Sequence, residues 1–163
     1  MQPYCIISRK PEWIRYGEWL AAPRTMDVFS GDRILIQAIR NPSLKKRIVA
    51  TWTDKTFITR INVYSLLKKT QTKTDLCFLL SILNSRLMNW LLKKDYGLHT
   101  YIITGVLALP IKGGKPADKH FIDLQRLSRS ILAAKAADPA ADTSALEREI
   151  DRIVYELYGL TEE

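Results

Sequence analysis

The most regular apolar pattern in the chain lies between Thr74 and Lys94. Its apolar side chains recur at intervals of three and four residues, which is the spacing of one face of an α-helix. They are Leu76, Leu79, Leu80, Leu83, Leu87, Trp90 and Leu91. Further apolar residues, Phe78, Ile82 and Met88, widen this face. The pattern therefore predicts a long central helix that packs against other elements on two sides.

Three shorter runs precede this helix, at 33–40, 46–52 and 56–63. They are rich in β-branched and aromatic residues, as is typical of strands. The dipeptide Asn41-Pro42 predicts a turn after the first run, and Thr53-Asp54-Lys55 predicts a hairpin between the second and the third. These runs predict a small, mainly antiparallel sheet packed on the central helix.

The chain after the central helix continues with a β-rich piece at 97–104 and an extended exit, Leu109-Pro110-Ile111. Two amphipathic helices follow a Gly-containing link at 112–116. The first is predicted to begin at Asp118 as its N-cap and to bury one face; that face comprises Phe121, Leu124, Leu127, Ile131 and Leu132.

The last helix is predicted to begin at a capping box, Ser144-x-x-Glu147, and to end at Gly159. Together the two helices predict a C-terminal α-hairpin. The fold class is therefore α+β, with a mainly antiparallel sheet on a long central helix. We predict one α+β domain over 1–111 and a helical hairpin over 112–163 that packs on it.

The net charge of +8 is unevenly distributed along the chain. Eleven Lys and Arg residues face five Asp and Glu residues through Arg60, and 61–110 adds six basic and two acidic residues. The remainder carries eight basic and ten acidic residues. A polyanionic partner such as nucleic acid would therefore meet the first two thirds of the chain.

The cysteines and the N-terminal sequence give information about the cellular compartment of the protein. Cys5 and Cys77 do not make a disulfide framework, and Cys77 lies on the predicted central helix. The N-terminus lacks the apolar core of a signal peptide, and no apolar run reaches the roughly 18 residues that a membrane span needs. We expect no membrane association and a location in a reducing cytoplasm.

Most catalytic sites are excluded by the residues available. His99 and His120 have no Cys or carboxylate at the spacing of zinc ligands. Gly113-Gly114-Lys115 is not a phosphate-binding P-loop, and no Gly-rich dinucleotide motif or Ser nucleophile motif occurs. Asn41-Pro42-Ser43-Leu44 resembles the Asn-Pro-Pro-aromatic loop of adenine methyltransferases but lacks the second Pro and the aromatic residue, so we interpret it as an ordinary turn.

Five segments, in order, carry a family resemblance. They are IRYGEWLAAPRTMDVF at 14–29, the paired-strand region after Lys45, Leu83-Asn84-Ser85-Arg86-Leu87, Leu107-Ala108-Leu109-Pro110-Ile111, and IDRIVYELYGLT at 150–161. This ordered set resembles the C-terminal specificity domain of TaqI-like DNA methyltransferases and type IIG restriction-modification enzymes. Each segment is weakly specific by itself, whereas the set covers nearly the whole chain from Trp13.

The resemblance implies a target-recognition module that is not catalytic by itself and binds a specific sequence of double-stranded DNA. A methyltransferase or endonuclease domain would act with it, in cis or in trans. S-adenosylmethionine and Mg²⁺ are expected only in that catalytic part, and no cofactor is expected in this chain. Because the chain begins where the catalytic half of such an enzyme would end, the resemblance implies either a fragment of a longer enzyme or a stand-alone specificity protein.

Basic and amide side chains around the predicted strand ends are the candidate DNA contacts. Cations such as Lys45 position a phosphate backbone, whereas side chains with paired or forked donors discriminate between bases. The candidate set is Gln37, Arg40, Asn41, Ser43, Lys45, Lys46, Arg47, Lys55 and Arg60. Each of these cations is equally well explained as part of a solvated rim, and the cluster as a whole favours DNA.

Two alternatives remain open from the residues. Asn84 and Ser85, polar residues within an apolar face, either bond a neighbouring segment and fix the helix against the sheet or contact DNA directly. The chain as a whole is alternatively a protein interaction module, whose C-terminal helices dock a partner through their apolar faces. A small nuclease, using Asp32 or Asp54, is a third interpretation that we do not favour.

Overall fold

The apolar run Arg33–Gln37 forms β1, the central strand of a three-stranded antiparallel sheet. The computed structural model describes residues 1–7, 13–20, 22–68, 75–115 and 117–160. Strands β2 (Ala50–Thr53) and β3 (Val63–Leu67) flank β1 on its two sides. In its central position β1 is almost wholly buried, whereas β3 at the edge is only partly buried.

The order of the strands corrects part of the sequence prediction. The runs at 33–40 and 46–52 each contain a strand, but the predicted strand at 56–63 is wrong, since β3 begins only at Val63. The predicted hairpin at 53–55 is also wrong, because β2 and β3 both pair with β1 and not with each other. After β2 the chain crosses to the far side of β1, so the nine residues 54–62 form a connection.

The predicted central helix is helical as expected, with one break. It forms α1 (Leu76–Asn84) and α2 (Arg86–Tyr96), and between them the backbone of Ser85 is extended, with a ψ of 157°. The Ser85 hydroxyl donates to the carbonyl of Ile82 at 2.7 Å and accepts from the amide of Met88 at 3.3 Å. Ser85 therefore caps both helices at the break. Thr74, where the predicted helix began, lies outside the described residues.

Helix α1 is buried on nearly all sides, as its wide apolar face predicts. The sheet packs on one side, and α4 (Lys119–Ala137) and α5 (Ser144–Leu157) pack on the other. A short helix, α3 (Ile103–Leu107), packs against α2. The α+β class and the C-terminal helical hairpin are thereby confirmed. The division into 1–111 and 112–163 stays a prediction.

Several element boundaries differ from the predicted ones. In the β-rich piece at 97–104 only Tyr101 pairs, with Ile39, and α3 follows directly. The N-cap of α5 is Thr143, one residue earlier than the predicted Ser144, and its hydroxyl donates to Glu147 at 2.9 Å. Gly159, with a φ of +70°, ends the helix region as predicted. Thr161, the last residue of the terminal motif, lies outside the described residues.

Two asparagines on the central helices bind the backbone that leads into β2. The side chain of Asn84 accepts from the amide of Ala50 and donates to its carbonyl, both at 3.0 Å. The Asn89 carbonyl oxygen accepts from the amides of Arg47 at 2.7 Å and Ile48 at 2.8 Å. The structural interpretation of Asn84 and Ser85 is confirmed, since both are buried and bonded within the protein. Sequence analysis missed Asn89.

The N-cap of α1 offers a matched test of helix capping. Asp75 accepts from the amides of Cys77 at 2.7 Å and Phe78 at 3.3 Å, whereas Asp118 at the start of α4 makes no side-chain capping bond. The other carboxylate oxygen of Asp75 accepts from Gln125 at 2.6 Å and from Arg129 at 3.2 Å, both on α4. We expect Asp75→Ala to lower the free energy of unfolding by about 1–2 kcal/mol, because the capping bonds and these contacts are lost together. The matched variant Asp118→Ala should change it by less than about 0.5 kcal/mol. Urea unfolding monitored by circular dichroism measures both, and equal losses would contradict the assignment.

Among the described residues, no helix combines the length and the hydropathy that crossing a membrane requires.

Candidate nucleic-acid interface

Three loops meet at the end of the sheet where β1 ends. They are 39–46 after β1, 60–62 before β3, and 97–101 after α2, and we call them the three-loop surface. The amide of Ala38 donates to the carbonyl of Asn62 at 2.9 Å, and the amide of Arg40 donates to the carbonyl of Thr100 at 2.8 Å. Ile39 pairs with Tyr101 across an isolated β-bridge. Backbone bonds therefore fix the relative positions of the three loops.

Arg47 lies beneath this surface, with none of its area exposed. Its guanidinium donates to the carbonyl of Gly97 at 2.8 Å and also to the carbonyl of His99. Burial lowers the pKa of Arg47, although an arginine stays charged at neutral pH. The sequence predicted Arg47 as a DNA contact, but its side chain is enclosed and already bonded. Its role in this structure is to hold loop 97–101, and we leave it out of the candidate interface.

Arg40 and Gln37 act as a pair at the end of β1. The Arg40 guanidinium donates to the Gln37 side-chain oxygen at 3.0 Å and to the carbonyl of Lys46 at 2.7 Å. Burial lowers the pKa of Arg40, and the neighbouring charge of Arg47 lowers it further. Both side chains are half-buried, and the Nε of Arg40 is enclosed without a hydrogen-bond partner among the described residues.

Loop 39–46 carries four further candidates. The side-chain oxygen of Asn41 accepts from the amide of Ser43 at 2.9 Å, and the amide of Leu44 donates to the carbonyl of Asn41 at 3.1 Å. This geometry confirms the turn predicted at Asn41-Pro42. Ser43 and Lys45 are exposed, and Lys46 forms an ion pair with Glu147 of α5 at 2.6 Å. Such an exposed pair is weak, so Lys46 can exchange partners.

The last two candidates lie at opposite ends of the sheet. Arg60 is exposed on the three-loop surface, three residues before β3. Lys55 is exposed near the start of β1, where its carbonyl accepts from the buried guanidinium of Arg33 at 2.6 Å. The structure thus gathers seven of the nine candidates at one end and places Arg47 beneath them. Lys55 does not belong to this cluster.

Sequence analysis missed the contribution of loop 97–101. Leu98, His99 and Thr100 are all exposed, and Leu98 is 92% exposed. The missed signal was Lys93-Lys94 followed by Gly97, because basic residues and then glycine are typical of a helix end. Because residues 97–104 have a composition typical of a strand, sequence analysis predicted a β-rich piece there and not a loop.

The charge of this end of the molecule is mainly positive. Lys93 and Lys94, in the last turn of α2, are exposed next to loop 97–101. Within the three loops and this last turn, Asp95 is the only acidic residue in the sequence. Exposed cations beside exposed amide and hydroxyl groups make a surface suited to a polyanion that also carries hydrogen-bonding groups. Among the described residues, no three His, Cys, Asp or Glu side chains form a cluster that could hold a metal ion.

Comparison with protein families identifies a match. The family model described as the TaqI-like C-terminal specificity domain matches residues 2–111 of the chain. The match includes the sheet, α1 to α3 and the three-loop surface, whereas α4 and α5 follow it. A search of curated proteins finds no match to the chain.

Proposed function

The chain belongs to the family of TaqI-like C-terminal specificity domains, and on that premise we propose that it binds a specific short sequence of double-stranded DNA through the three-loop surface. It supplies target recognition to a restriction-modification enzyme. The observation that carries the proposal is the meeting of three loops at one sheet end, with their polar and basic side chains exposed. These side chains are of the kinds that contact phosphates and base edges.

The candidate contacts divide into two groups. Lys45 and Lys46, with Lys93 and Lys94 beside them, bind phosphates and position the duplex. Base edges are contacted by side chains that carry a forked or paired set of hydrogen-bonding groups. This second group comprises Gln37, Arg40, Asn41, Ser43 and Arg60. Backbone hydrogen bonds between the three loops fix the loop positions in the free protein, which lowers the entropic cost of binding DNA.

Catalysis belongs to a partner in this account. A DNA adenine methyltransferase or endonuclease domain, in cis or in trans, carries out the reaction in the cytoplasm. S-adenosylmethionine and Mg²⁺ are bound by that partner and not by this chain. Because the partner supplies part of the DNA interface, we expect the chain alone to bind duplex DNA in about the micromolar range.

The alternative of a protein interaction module has less support. It requires the apolar faces of α4 and α5 to be free for a partner. Those faces instead contribute Phe121, Leu124, Ile131, Ile150 and Val154 to the same core as α1. The stacked pair of Phe121 and Phe78, with ring centroids 4.5 Å apart, joins α4 directly to α1.

Two exposed lysines at opposite ends of the sheet test the location of the interface. We expect Lys45→Ala to weaken binding to duplex DNA about fivefold at 0.1 M salt, and to reduce the slope of log affinity against log salt by about 0.9, because one phosphate contact is lost. Lys55→Ala removes the same charge from the other end and should change neither value. Fluorescence anisotropy at several salt concentrations measures both. Equal losses in the two variants, or no binding by the unaltered chain at low salt, would contradict the proposal.

A further inference from the structure

Leu98 has a large apolar side chain that is exposed to solvent. It is 92% exposed and lies in loop 97–101, between Gly97 and His99. An isolated exposed leucine is common on protein surfaces and needs no explanation. The position of Leu98 is unusual because the backbone on both of its sides is fixed by buried or half-buried arginines.

Three successive interactions fix this loop. The enclosed Arg47 guanidinium donates to the carbonyls before and after Leu98, those of Gly97 and His99. The amide of Arg40 donates to the carbonyl of Thr100 at 2.8 Å. A Cβ atom at Gly97 would lie 2.5 Å from the carbonyl oxygen of Lys93, so this position accommodates glycine only. The loop therefore presents Leu98 in a defined position before any ligand binds.

The surroundings of Leu98 favour DNA as its ligand. Lys93 and Lys94 are exposed in the preceding turn of helix, and Arg40 and Lys45 lie on the loop bonded to Thr100. A purely apolar protein partner would have to desolvate these cations without pairing them. A duplex pairs them with phosphates while it presents base edges to the side chains between them.

A leucine has neither a donor nor an acceptor, which limits what it can distinguish in a DNA groove. In the major groove the one apolar group that a base edge presents is the 5-methyl group of thymine. We propose that Leu98 contacts a thymine methyl group and thereby determines part of the sequence specificity. This inference rests on the proposed function and adds an apolar contact to an interface otherwise made of polar ones.

Replacement of thymine by uracil tests the contact directly, because it removes the methyl group and leaves the hydrogen-bonding edge unchanged. The probe is the duplex that the unaltered chain selects from a randomised pool, with each thymine replaced by uracil in turn. We expect one replacement to weaken binding by the unaltered chain about fourfold, the effect of one methyl-sized apolar contact. Leu98→Ala should bind the thymine and uracil forms of that position equally, and Leu98→Met should retain the preference.

Two controls separate this contact from other causes. Ile122→Ala removes an exposed apolar side chain from α4 and should keep the full uracil pattern of the unaltered chain. Because Leu98 is exposed, Leu98→Ala should unfold at the same urea concentration as the unaltered chain.

Different failures have different meanings. If the unaltered chain selects a sequence but no uracil replacement weakens binding, or if Leu98→Ala keeps the same uracil sensitivity, the inference is overturned and the proposed function stands. If no sequence is selected from the pool, the proposed function is overturned together with the inference.

Discussion

Replacement of Arg47 by alanine is expected to lower the free energy of unfolding by about 3 kcal/mol, because two charge-assisted hydrogen bonds and a buried side chain are lost together. The carbonyls of Gly97 and His99 lose their donor, so loop 97–101 should also lose its fixed position. Amide hydrogen exchange in this loop should become faster, and DNA affinity should fall although Arg47 itself does not reach the surface. Urea unfolding and hydrogen exchange measure the two effects.

Arg33 provides the matched control for this experiment. Its guanidinium is equally enclosed and donates to two carbonyls, those of Gly31 at 2.8 Å and Lys55 at 2.6 Å, at the opposite end of β1. Arg33→Ala should therefore cost a similar amount of stability without changing exchange in 97–101. Arg47→Lys should recover little, because a lysine ammonium does not reproduce the forked geometry. Unchanged exchange at 97–101 in Arg47→Ala would contradict the assigned role.

Replacement of Asn84 by alanine is expected to lower the free energy of unfolding by about 2 kcal/mol. The buried amide of Ala50 then loses its partner, whereas the Ala50 carbonyl keeps the amide of Tyr4 at 2.9 Å. Strand β2 is an edge strand, and Asn84 bonds its outer side at Ala50 as a neighbouring strand would. Asn84→Leu should lower the free energy of unfolding as much as Asn84→Ala, because both variants lose the hydrogen bonds and leucine restores only side-chain volume. Urea unfolding of Asn84→Ala and Asn84→Leu measures the loss.

An asparagine on the surface is the control for this second result. Asn62 is exposed, and its backbone carbonyl makes the bond to Ala38. Asn62→Ala should therefore change the free energy of unfolding by less than about 0.5 kcal/mol. A loss at Asn84 as small as that at Asn62 would show that α1 does not support β2 through this side chain.

Features set by local sequence could be predicted. The apolar spacing of Phe121, Leu124, Leu127 and Ile131 places them all in the core, as a helical face requires. The end of the last helix at Gly159 follows from the positive φ that glycine adopts easily. A bond from the polar Asn84 to a neighbouring segment was one of two interpretations of its place in an apolar face, and the structure shows that bond.

Features set by distant contacts could not be predicted. The sequence around β2 and β3 favours a hairpin, but both strands pair with the buried β1, which separates them. Arg47, next to two lysines, has the local sequence of a surface cation. Its burial depends on carbonyls of Gly97 and His99, some fifty residues away along the chain. Sequence analysis therefore did not anticipate that loop 97–101 lies beside the candidate residues or that Lys55 lies at the opposite end of the sheet.

Selection of bound duplexes from a randomised pool, by the unaltered chain and by Arg60→Ala in parallel, tests most directly whether the three-loop surface recognises sequence. The unaltered chain is expected to enrich one short sequence. Arg60→Ala should enrich the same sequence with relaxed preference at one base pair, since a forked arginine contact discriminates by about 1–3 kcal/mol. A pool that emerges without enrichment, or an identical preference at every position in both proteins, would contradict the account.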